Sequence, residues 1–192
     1  MLAANHWSNF DPWPLGIPLF PQRFLRFMAK KELFWPPLSW IIRAGGGFRV
    51  DRGTRDQQAI DTAVELCRAG HVVVMFPEGT RRAKGLRKRH EARWHTGAAR
   101  IALDAGVPLV PVGIAGPERL KRLGPLRVAY GPPIETADLA DLDVAEAAGI
   151  ATDRLREAIT ALEMLGRDFS RVPDEAEGGR DEVKATSEGT PE

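Results

Sequence analysis

The chain has 192 residues, with 43% hydrophobic and 28% charged. This is one domain's worth of sequence and excludes a fibrous or wholly disordered chain. A single cysteine, Cys67, excludes an intrachain disulfide framework and any cysteine-based zinc cluster. The formal net charge of +1 is a sum of unlike parts, a net of +6 over residues 1–173 and of −5 over residues 174–192.

Residues 1–4 read as the end of a strand. Asp11-Pro12-Trp13-Pro14 reads as a helix start, with Asp11 as cap and proline in the first turn. A strand over 24–30 and a short helix over 38–43 follow. Gly45-Gly46-Gly47 stops that helix before a short strand over 48–51. Residues 56–69 form an amphipathic helix with Ile60, Ala63, Val64 and Cys67 on one face and Gly70 after its end. The thiol of Cys67 is therefore expected in the core.

The strongest strand covers 71–76. Its apolar residues are continuous rather than alternating, as in a strand buried on both faces. A helix over 96–105 ends at Gly106, and strands follow over 108–114 and 126–130. The last helix is read over 152–166, with Leu155, Ile159, Leu162 and Leu165 aligned. The alternation predicts a single α/β domain over residues 1–173, a mostly parallel mixed sheet flanked by helices on both faces. Residues 174–192 lack large apolar side chains and are expected to be a disordered acidic tail.

Three segments carry candidate chemistry. In Asn5-His6-Trp7-Ser8-Asn9-Phe10-Asp11, a histidine stands five residues before an aspartate at a strand-to-helix transition. A carboxylate on one imidazole nitrogen fixes the tautomer and leaves the other free to take a proton. The plainer alternative is that Asp11 only caps the helix and His6 packs in a loop. Phe76-Pro77-Glu78-Gly79-Thr80-Arg81 leaves the best strand at its C-terminal end, where open α/β sheets bind ligands. Gly79 permits close backbone approach, and Thr80 and Arg81 suit a phosphate; an ordinary turn with a surface ion pair is the alternative. Gly47-Phe48-Arg49-Val50-Asp51-Arg52 ends in a cation that either adds a phosphate contact or is solvated.

Taken in order with Val107-Pro108-Leu109-Val110-Pro111-Val112, these blocks resemble the glycerolipid acyltransferase family over residues 2–134. The resemblance implies that fold, with His6 as general base oriented by Asp11. His6 would take the proton from the free hydroxyl of a lysophospholipid or glycerol phosphate. The oxygen would attack the thioester of acyl-CoA or acyl-carrier protein, and the proton would return to the leaving thiolate. Arg52, Glu78, Gly79, Thr80 and Arg81 would position the phosphorylated acceptor. Pro108 and Pro111 would shape the pocket and acyl channel. No metal, cofactor or acyl-enzyme is implied. Lysophosphatidate is the acceptor expected first, with glycerol 3-phosphate, another lysophospholipid or a non-catalytic lipid-binding role as alternatives. Members of the family commonly carry several tens of residues before the histidine block. Here five precede His6, so either the start lies upstream or the form is reduced.

Residues 81–93 hold seven Lys/Arg and one acid. This run suits acceptor phosphate, the CoA phosphates or anionic lipid headgroups, or is a solvated loop. Nucleic acid has no motif behind it. Nine of the fourteen aromatic residues lie in the first forty positions, among Arg23, Arg26, Lys30 and Lys31. About half of them are expected in the core and the rest at a lipid–water interface. No apolar run approaches the ~18–20 residues that span a bilayer. The expectation is a peripheral, monotopic protein on the cytoplasmic face of a membrane.

Overall fold

The computed structural model describes residues 1–8, 11–50, 57–79, 94–116 and 125–168. Arg52, Thr80, Arg81, the basic run 81–93 and the acidic segment 174–192 lie outside the described residues.

Six strands form one sheet. They are β1 (Leu2–Ala4), β2 (Leu25–Lys30), β3 (Gly47–Val50), β4 (Val72–Met75), β5 (Val110–Ala115) and β6 (Arg127–Tyr130). The order across the sheet is β3-β2-β4-β1-β5-β6, parallel throughout except for the antiparallel β5–β6 pair. The expected mixed α/β architecture is therefore present. β1 lies at the centre, with Leu2 opposite Val74 on one side and Val110 on the other.

The helices are α1 (Pro12–Gly16), α2 (Leu38–Ala44), α3 (Gln57–Arg68), α4 (Gly97–Ala105) and α5 (Val144–Asp168). Alternation along the strands divides the core. Ala3, Val73 and Leu109 pack with Ala63 and Cys67 of α3, Ala98, Ala99, Ile101 and Ala102 of α4 and Ala151, Leu155 and Ile159 of α5. Leu2, Ala4, Val74, Val112 and Ile114 face the other way, onto Leu15 of α1 and Leu25. Cys67 is buried as expected, and that burial raises its thiol pKa above the ordinary value.

Two helix expectations need correction. α5 begins at Val144, eight residues before the position expected from periodicity. Asp143 caps it, its carboxylate accepting from Ala145 N–H at 3.0 Å, with Glu146 in the first turn. Leu165 is half exposed, because the stripe that meets the sheet runs Leu155, Ile159, Glu163, Gly166. Close approach explains this phase. A Cβ on Gly113 would fall 2.6 Å from the Leu162 backbone, and one on Gly166 would fall 2.8 Å from the Ala115 side chain.

The aromatic expectation also changes. None of the eight described aromatic residues among the first forty is fully buried. Trp13, Phe20, Phe24, Trp35 and Trp40 are exposed, and Trp7, Phe27 and Phe34 are partly buried. α1 is only five residues long, too short to cover its own flanks.

Candidate active site

The parallel strands end along one edge of the sheet, and the candidate residues leave from that edge. β1 stops at Ala4, and the Asn5 side chain takes over its pairing. Its amide donates to Ile114 C=O at 2.8 Å, and its carbonyl oxygen accepts from Ile114 N–H at 2.7 Å. Asn5 is fully buried, and these bonds satisfy backbone groups of β5 that β1 no longer reaches. The chain can then turn out of the sheet with its first residue fixed.

That residue is His6. Its Nδ1 lies 2.8 Å from Asp11 Oδ2. The same oxygen accepts from Trp7 N–H at 2.7 Å and Ser8 N–H at 2.9 Å, while Oδ1 accepts from the Ser8 hydroxyl at 3.2 Å. The buried carboxylate thus gathers the whole turn 6–8 around itself. The expectation that Asp11 caps α1 is not met, since it makes no side-chain cap bond. Proline accounts for the difference. Pro12 and Pro14 have no N–H, so the start of α1 presents fewer orphan donors and the carboxylate is free to point back.

The His6 ring stacks on Phe76, with centroids 4.2 Å apart and planes 18° from parallel. Phe76 follows β4 and opens the second block. Gly79 N–H closes a turn onto Phe76 C=O at 3.1 Å, and Gly79 has φ +66°, where a side chain is disfavoured. Pro77 and Glu78 are buried in this turn. His6, Asp11, Glu78 and Gly79 are therefore brought together at the C-terminal ends of adjacent strands. With Nδ1 committed to the carboxylate, Nε2 is the nitrogen that can exchange a proton with a ligand.

Pro108 and Pro111 are not brought to this edge. Pro108 precedes β5, and Pro111 is fully buried opposite Ala3. The groove beside Pro108, about 460 Å³ and lined also by Val107, Leu109 and Ile134, opens at the opposite edge. Asn5 is the positioning residue that sequence reasoning missed. The signal was present, since it stands beside His6, but its partner is 109 residues away. Among the described residues, no group of three or more His, Cys, Asp or Glu could hold a metal ion.

The family model described as Acyltransferase matches residues 1–115. The chain is 32% identical over 169 residues to the 1-acyl-sn-glycerol-3-phosphate acyltransferase of Bacillus subtilis, covering 85% of this chain and 80% of that protein. It is 32% identical over 148 residues to the Streptococcus pneumoniae protein of the same name, covering 74% of this chain and 53% of that one. Among solved structures it resembles the 1-acyl-sn-glycerophosphate acyltransferase PlsC of Thermotoga maritima. The TM-score is 0.55 at 26% identity, over 84% of this chain and 65% of that one. The matched family region contains His6, Asp11, Glu78 and Gly79, the residues that the fold gathers at one edge, and the chain belongs to the acyltransferase family.

Proposed function

We propose that this chain transfers a fatty acyl group from acyl-CoA or acyl-carrier protein to the free hydroxyl of lysophosphatidate, forming phosphatidate. The observation that carries the reading is the 2.8 Å His6–Asp11 contact, held by three further donors to the same carboxylate. Asp11 keeps the proton of His6 on Nδ1, so Nε2 accepts the acceptor's hydroxyl proton. The oxygen attacks the thioester carbonyl, the C–S bond breaks, and His6 returns the proton to the thiolate. The products are an ester and a free thiol, and the base is regenerated. Glu78 and Gly79 would position the phosphorylated acceptor together with Arg52, Thr80 and Arg81, the three that lie outside the described residues.

The site works at a membrane surface in this reading. Trp13, Ile17, Phe20 and Phe24 are exposed around an apolar cavity of about 200 Å³, with Arg23 on its lining. Aromatic rings beside arginines suit the headgroup boundary of an anionic bilayer. Among the described residues no helix is long and apolar enough to cross a membrane.

The test is transfer of labelled acyl groups from acyl-CoA, and separately from acyl-carrier protein, to a panel of lyso-acceptors. Lysophosphatidate is expected to be acylated fastest. His6→Ala is expected to lower kcat by ~10²–10⁴-fold with the fold retained. Full transfer by that variant would remove His6 as the base.

A further inference from the structure

His95 stands sixteen residues beyond Gly79 and belongs to none of the blocks that carry the proposed reaction. The fold nevertheless sets it on the Glu78–Gly79 turn. Its backbone N–H donates to Pro77 C=O at 2.9 Å, tying the residue to the turn itself. Its ring lies across Gly79, where a Cβ would fall 2.7 Å from both Cδ2 and Nε2. The absence of a side chain at Gly79 is what lets the imidazole lie there. His95 is exposed, unlike the Pro77 and Glu78 it adjoins, so the ring reaches solvent at the edge where His6 also emerges. Phe76, the first residue of the same turn, is the residue on which His6 stacks. A single turn of backbone therefore touches both imidazoles, His6 at Phe76 and His95 at Gly79.

The two imidazoles differ in surroundings. His6 has Nδ1 held by a buried carboxylate, the arrangement of a base. His95 lies against a glycine. An imidazole in that setting can turn an N–H donor toward an anion above the turn. Gly79 adds no side chain to obstruct it.

We propose that His95 is a binding residue for the phosphate of the acceptor, a donor that works beside Gly79 rather than in proton transfer. The assignment rests on the acyl-transfer reading above and adds a specificity-determining residue to it. The phosphate concerned is the monoester of the acceptor. The phosphates of CoA have the same chemistry, and the experiment separates the two sources.

Steady-state transfer is measured for wild type, His95→Ala and His95→Lys, varying lysophosphatidate and acyl-CoA in turn. Monoacylglycerol, which lacks the phosphate, serves as the control acceptor. His95→Ala is expected to raise KM for lysophosphatidate by about tenfold, as for loss of one charge-assisted hydrogen bond. Its kcat, its KM for acyl-CoA and its rate on monoacylglycerol stay within about twofold of wild type. His95→Lys, which restores an N–H donor, recovers most of the lysophosphatidate KM. A KM increase confined to acyl-CoA overturns the proposal in favour of the donor's phosphates. An equal loss on both acceptors overturns it in favour of simple support for the turn. An unchanged KM for lysophosphatidate overturns it outright while acyl transfer by the wild type stands. Absence of transfer by the wild type to any acceptor counts instead against the underlying reading.

Discussion

The two faces of the sheet are built on different terms. On one, α3, α4 and α5 lie close because Ala63, Ala98, Ala99 and Ala151 are fully buried at their contacts. Small side chains bring the helices near enough for Ile101, Leu155 and Ile159 to fill the space between them. On the other, α1 supplies only Pro12 and Leu15 as buried apolar side chains, and Trp13 on the same helix is half exposed. The first face holds the domain together. The second leaves apolar surface to solvent beside the segment that carries His6 and Asp11, which suits the amphiphilic substrates of the proposed reaction.

Substitutions on each side break or sharpen this contrast. The largest stability effect belongs to the helical face. Ile159→Ala is expected to cost ~2–5 kcal/mol in urea denaturation, with KM for both substrates unchanged in whatever remains folded. A small loss there would mean that the face is loosely packed after all.

Asn5→Ala comes next, since it leaves two backbone groups of Ile114 without their partner. The expected cost is ~1–3 kcal/mol by the same measurement, accompanied by a fall in kcat because His6 loses its anchor. Stability lost with kcat intact would show that Asp11 alone organises the turn. The smallest effect on folding is expected from Trp13→Ser combined with Phe20→Ser, within ~0.5 kcal/mol of wild type for each exposed site. That pair should instead abolish co-sedimentation with anionic vesicles. Unfolding of the double variant would make the second face core, and unaltered sedimentation would remove it from the membrane surface.

Sequence made the central strands and the His6–Asp11 spacing legible because both are local. Continuous valines mark β4, and five residues can close a turn whatever lies elsewhere. The start of α5 was less legible because Gly149 interrupts its periodicity, although Asp143 and Glu146 form the expected capping pattern. Leu165 was misread because helical phase alone does not show that Gly113 and Gly166 set the angle of contact. The role of Asn5 depends on a partner 109 residues away, and that of His95 on a turn sixteen residues earlier, so helix or strand periodicity reveals neither pairing. Exposure of the aromatic residues followed from the shortness of α1, while their composition suits either a core or an interface.

The Asn5 bridge has a consequence for accuracy of assembly. β1 is three residues long and could in principle dock one residue out of place between β4 and β5. Such a slip would carry His6 ~3.3 Å along the sheet and turn its side chain to the opposite face. Asn5 accepts from and donates to one residue, Ile114, so a slipped strand loses both bonds together. The side chain acts as a latch on the central strand, and it makes correct threading of β1 and correct aim of His6 the same event.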